Sequence, residues 1–153
     1  MNPMTTQDLE KYAAGKTELC DLLEMEPAYI EQLKGRAQLF IDGGHTERAL
    51  MMLEMLEELD RRDPMPALLA AELLLKEGRS DAAETKIEAV LARTPGQPEA
   101  LVAKAELKIA IGELTPAAEL LRQVIERDAQ GKTAAGRRAM AVAAQAHRRF
   151  EVS

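Results

Sequence analysis

Tryptophan is absent from the 153 residues, and two tyrosines and two phenylalanines supply all of the aromatic content. Any core must therefore be aliphatic. The single cysteine, Cys20, excludes an intrachain disulfide and fits a reducing compartment. It has no partner thiol and no evident base, so it reads as a small apolar helical residue rather than a nucleophile. Histidine is nearly as scarce: His45 and His147 stand alone, without sequence neighbours that would make a metal or acid–base pair. An excess of positive charge is missing too. The net charge is −6 and the isoelectric point is near 5.1, which argues against a nucleic-acid partner because phosphate contacts need a basic face. The start MNPMTTQDLEKY lacks the basic stretch and apolar run of a signal peptide, and no window is long and apolar enough for a membrane span. The expectation is a cytoplasmic protein without cofactor or metal, with no nucleic acid and no membrane among its partners.

What is present is helix. Hydrophobic residues make up 46% and charged residues 30%, ordinary for a soluble helical chain. The stretch PMPALLAAELLLKEG, from Pro64 to Gly78, organises the rest. Asp63 is suited to the N-cap, Pro64 to the first turn, and Gly78 to the left-handed C-terminal position. Between them Leu68, Leu69, Leu73, Leu74 and Leu75 mix with Ala67, Ala70 and Ala71, so the helix is apolar nearly all round. Such a helix is covered on most sides. It is the middle of a stack.

The stack repeats every 34 residues. That step links Gly44, Gly78 and Gly112; Ala37, Ala71 and Ala105; and Ala49, Ala83 and Ala117. It also links Leu53, Ile87 and Leu121, then Leu56, Val90 and Val124, and carries Pro64 onto Pro98. The alanines mark close helix approaches and the glycines close the turns. A helix–turn–helix period of this length resembles the tetratricopeptide repeat, over about Ile30 to Asp128. The usual tyrosine position holds Phe40, Leu74 and Lys108. The fold expected is all-α: a right-handed solenoid of three helical hairpins with an N-terminal helix and a C-terminal capping helix. The boundaries expected within this single domain are 6–25 for the N-terminal helix, 28–62, 63–95 and 97–129 for the repeats, and 132–150 for the cap. Thr6, Thr46, Ser80 and Thr115 are the expected helix caps, and Gly15 is an expected bend or break. From Gln130 onward the net charge is +4, leaving −10 on the rest, as suits cations near the end of a last helix.

Chemistry is not legible. Gly15-Lys16-Thr17 and Gly131-Lys132-Thr133 look like ends of phosphate loops, but the glycine such a loop needs five positions earlier is Glu10 or Glu126. No enzyme is expected. The first helix of each pair lines the inner face of such a stack. On that stripe fall Lys34, Gln38 and Ile41, then Met65, Leu68, Glu72 and Leu75, then Val102, Glu106 and Ile109. The expected ligand is an extended peptide with aliphatic anchors and a basic or donor contact near Glu72 and Glu106. Lys34 is the sole base on it, which disfavours the Lys/Asn/Arg clamp by which co-chaperone repeats hold acidic tails. A second candidate surface, for a homodimer or partner, comprises Tyr12, Leu19, Leu22, Met51, Met52 and Met55.

The whole plan, including LFIDGGHTERALMMLEMLEELDRRDP and LLLKEGRSDAAETKIEAVLA, resembles the class II chaperones of type III secretion. The resemblance implies a groove holding an extended segment of a membrane-inserting translocator, and an N-terminal region that mediates a homodimer. The alternatives are a repeat scaffold or assembly subunit, or a needle-subunit chaperone with another protein partner.

Overall fold

The computed structural model describes residues 3–151, and every regular element among them is an α-helix. The helices are α1 (Thr6–Ala13), α2 (Leu19–Leu22), α3 (Pro27–Asp42), α4 (Thr46–Leu59), α5 (Met65–Lys76), α6 (Ser80–Arg93), α7 (Pro98–Ala110), α8 (Leu114–Arg127) and α9 (Ala134–Glu151). They form two compact units, one up to Ala70 and the other from Ala71, so the division falls within α5.

One turn joins the helices of each pair, three times over. Gly44, Gly78 and Gly112 have φ of +71°, +75° and +84°. The following residues, His45, Arg79 and Glu113, each donate a backbone N–H to the carbonyl five residues back, on Phe40, Leu74 and Lys108, at 2.8 Å. The glycines donate to Ile41, Leu75 and Ile109. This is the double-bonded helix ending that needs a left-handed residue. The same His45, Arg79 and Glu113 are already the N-caps of the next helices. Thr46 and Ser80 are therefore the first helical residues and Thr115 the second, rather than caps. The turn feeds one helix straight into the next and leaves no room for a separate capping residue.

Two further boundaries differ from expectation. Pro64 precedes the first helical residue of α5, Met65, although the Asp63 carboxylate does accept the Met65 N–H at 2.9 Å. The N-terminal segment is two helices, not one. Gly15, at φ +67°, ends α1 by the same glycine turn, with Lys16 N–H bonded to the Lys11 carbonyl. Thr5, not Thr6, caps α1, through a reciprocal box with Asp8.

Packing follows the 34-residue register. Ala37, Ala71 and Ala105, and Ala49, Ala83 and Ala117, are all buried, as are Leu53, Ile87, Leu121, Leu56, Val90 and Val124. The register runs on further than Asp128: Leu101, Val102 and Ala105 recur 34 residues later as Ala135, Gly136 and Ala139, all buried on α9. These α9 alanines join Val102, Ala105, Ala117, Leu121 and Val124 in one apolar cluster. Gly136 packs on Asp128, whose carboxylate accepts from the Lys132 and Thr133 N–H groups and the Thr133 hydroxyl. Thr133 in turn accepts the Gly136 N–H.

The same substitution should fail for two reasons at two glycines. Gly78→Ala has open space around its new methyl, so it is expected to cost only the left-handed backbone penalty, about 1–2 kcal/mol in urea unfolding. Gly136→Ala is expected to cost about 1–3 kcal/mol by overpacking, because its Cβ would overlap the Asp128 carboxylate. A compensating Asp128→Ala change should recover part of the second loss and none of the first.

Candidate functional site

In the first unit, Lys34 is tied down: its ammonium lies 2.8 Å from both Glu31 and Asp63. Those two hydrogen-bonded carboxylates hold its pKa well above the ordinary lysine value. Gln38 donates to Asp42 at 2.7 Å, Ile41 is half-buried, and Met65 is 42% exposed. Leu68 corrects the expected stripe, because at 6% exposure it is core. The apolar wrap of α5 explains this, since Pro66 to Leu74 are buried apart from half-buried Leu69 and Glu72.

The second unit holds Glu72, Leu75, Val102, Glu106 and Ile109. Val102 is 1% exposed, a further correction, because α9 continues the register and covers it with Ala135 and Ala139. The two carboxylates are not open for a ligand's cation either. Arg138, on α9, donates from Nε to Glu106 Oε1 at 3.2 Å and from Nη2 to Glu106 Oε2 at 2.8 Å. The same Nη2 lies 3.3 Å from Glu72 Oε2, and Lys76 holds the other Glu72 oxygen at 2.9 Å. Burial pushes the Glu106 carboxyl above its ordinary pKa, more than Arg138 pulls it back. At Glu72 burial also pushes upward, but Lys76 and Arg138 together win and hold it below. Leu75 is half-buried beside this cluster on α5.

Ile109 turns to a different feature. It lines a cavity of about 360 Å³ with Leu114, Leu121, Ala143 and Phe150. The register explains the cavity: Ala146 stands 34 residues after the turn glycine Gly112, yet α9 does not turn there and continues to Glu151. Phe150, the lone aromatic of that helix, is the signal the sequence offered.

Of the second surface, Tyr12 is engaged within its own unit. Its hydroxyl donates to Glu58 at 2.9 Å and its ring lies 4.3 Å beneath the Arg61 guanidinium. Arg61 is the residue that sequence reasoning missed. Its N–H and Nε both donate at 3.0 Å to the buried carboxylate of Glu18, and Nη2 donates to the Tyr12 and Thr17 carbonyls. The segment of α1 and α2 is thereby fastened to the end of α4. Leu19, Leu22 and Met52 are half-buried; Met51 and Met55 are exposed, the former by 70%. Burial raises the Cys20 thiol pKa, as expected of an unreactive core thiol. His45 packs edge-on against Phe40, and His147 pairs with Glu151 on the surface. Among the described residues no group of His, Cys, Asp and Glu is arranged to hold a metal, and no helix is long and apolar enough to cross a membrane.

Tetratricopeptide repeat models match residues 34–98 and 74–146, and the chain belongs to the tetratricopeptide repeat proteins. No curated protein sequence matches significantly. Among solved structures, the type III secretion translocator chaperone SycD of Yersinia enterocolitica superposes with a TM-score of 0.73 at 22% identity. The match covers 82% of this chain and 96% of SycD. A chain of a type III secretion system complex from Aeromonas hydrophila gives 0.73 at 17% identity, over 96% of this chain and 99% of that one. The first repeat domain of Spaghetti (RPAP3), solved with the HSP90 peptide SRMEEVD, gives 0.64 at 13% identity, over 82% and 96%. The fold is thus that of protein-binding modules, and in plan it resembles the secretion chaperones.

Arg61→Met should leave the buried Glu18 carboxylate without its counter-ion, held only by the backbone N–H of residue 61. The expected cost is about 3 kcal/mol, read as a lower denaturation midpoint, with faster proteolysis between Gly15 and Glu26. Arg61→Met combined with Glu18→Gln should regain most of it.

Proposed function

We propose that this chain is a cytoplasmic secretion chaperone that holds an extended apolar segment of a type III translocator along the inner stripe of its first helices. The observation that carries this reading is the inner stripe itself. Its charges are internally matched, Lys34 by Glu31 and Asp63, and Glu72 with Glu106 by Arg138 and Lys76. Ile41 and Met65 in the first unit, and Leu75 in the second, offer aliphatic surface. Such a stripe suits an uncharged extended segment. The match to SycD along nearly all of that protein supports the same assignment. The acidic-tail clamp is disfavoured, because Lys34 is already neutralised.

Met51 and Met55, exposed one turn apart on α4, form the surface we assign to a second copy or partner. A scaffold subunit of a larger assembly is the alternative. It shares the fold but requires no single apolar client.

Co-expression with a translocator protein from the same genome tests the proposal. The expected result is a stable soluble complex, together with aggregation of the translocator when it is expressed alone. Leu75→Ser with Met65→Ser, at sites that are not fully buried, should weaken the complex at least tenfold at unchanged helicity. A translocator that remains insoluble in the presence of this chain would reject the chaperone reading.

A further inference from the structure

Arg138 stands beside Ala139 on α9, yet its guanidinium reaches carboxylates on two other helices, Glu106 of α7 and Glu72 of α5. These two glutamates are 34 residues apart, the same place in successive repeats. On Glu106 the contact is two-pronged, Nε to one oxygen and Nη2 to the other. Arginine makes that pairing and lysine does not. With Lys76 on the remaining side of Glu72, the cluster holds two negative and two positive groups. About half of the Arg138 side chain is exposed, so the contact can be reached from solvent.

We propose that Arg138 sets the peptide specificity of the inner face by filling, from within the chain, the place that a basic client residue would take. The inference rests on the reading of the inner stripe as the client's seat. With Arg138 in place, an uncharged segment meets aliphatic surface and no net charge. A lysine or arginine in the client finds both carboxylates already paired, so it gives up its hydration without gaining an ion pair, which disfavours it. With Arg138 removed, two carboxylates remain, one of them largely withdrawn from water, and they draw a cation. Arg138 is a positioning and specificity residue. The same contact ties α9 to two repeats at once.

Two probes separate the slot from the client. Ethylguanidinium chloride carries the arginine head group alone. At millimolar concentration, relative to sodium chloride, it is expected to raise the melting temperature of Arg138→Ala. It should not raise that of the wild type or of the triple variant Glu72→Gln/Glu106→Gln/Arg138→Ala. Equal responses of the three proteins would overturn the slot. Should Arg138→Ala not fold, the Arg138 Nε proton reports instead. It should exchange slowly in the wild type and at least tenfold faster in Glu106→Gln, and equal rates would overturn the proposal. The second probe is a fluorescein-labelled nine-residue peptide of Leu, Ala and Ser, with a counterpart carrying a central Arg. The wild type should prefer the neutral peptide, and Arg138→Ala should shift that preference toward the arginine peptide by about tenfold. An unchanged preference overturns the specificity role. Guanidinium uptake by Arg138→Ala with neither peptide bound by the wild type would locate the failure in the inner-stripe reading, and would leave Arg138 only as a tie for α9.

Discussion

Close approach of helices at alanine is the constraint on which the structure depends. Ala37, Ala71, Ala105 and Ala139 stand at one spacing, Ala49, Ala83 and Ala117 at the same spacing on the partner helices, and all are buried. A larger side chain at any of them would push helices apart and, at Ala105, Ala117 or Ala139, break up the cluster around Leu121 and Val124. The turns obey the same constraint. Helices this close leave no length for a loop, so each glycine ending delivers its successor directly as the next N-cap. The scarcity of rings is compatible with this plan, because alanine seams and leucine-sized fillers close the core without them.

This plan was legible in the sequence because period and punctuation are local properties. Glycine at a fixed step and alanine at two others defined the hairpins, and Pro27 stands at the first helical position of α3. Caps were less legible. A serine or threonine before an apolar run signals an N-cap, but at Thr46 and Ser80 the preceding turn had already supplied one. The break at Gly15 was visible only as an alternative to a bend. The fastening of that segment by Arg61 was not visible, since nothing in RRDP distinguishes Arg61 from Arg62. Yet Arg61 reaches 43 residues back to buried Glu18, whereas Arg62 pairs on the surface with Asp21 and Asp60.

The candidate site was half legible for a related reason. Register placed ten residues on one stripe, but register alone does not say what lies over them. Leu68 belongs to a helix whose apolar wrap already announced burial on most sides. Val102 is covered because the alanine register continues into α9, through Ala135, Gly136 and Ala139. A count of alanine at one step further would have shown the cover. What survives on the surface is narrower: Gln38, Ile41, Met65, Leu75, and the charges, every one of them compensated.

Compensation changes what the carboxylates mean. Two glutamates on an apolar stripe suggest a basic ligand when read in sequence, since a half-buried carboxylate calls for a cation. In the folded chain the cation is Arg138, delivered by a helix 32 residues after Glu106. A ligand's arginine placed there would make the same bonds that Arg138 makes, so the direct gain on exchange is small. The costs of ordering the ligand and releasing the internal guanidinium remain. An uncharged segment avoids that exchange altogether. The preference of the stripe is therefore set less by the residues that line it than by the residue that reaches into it from α9.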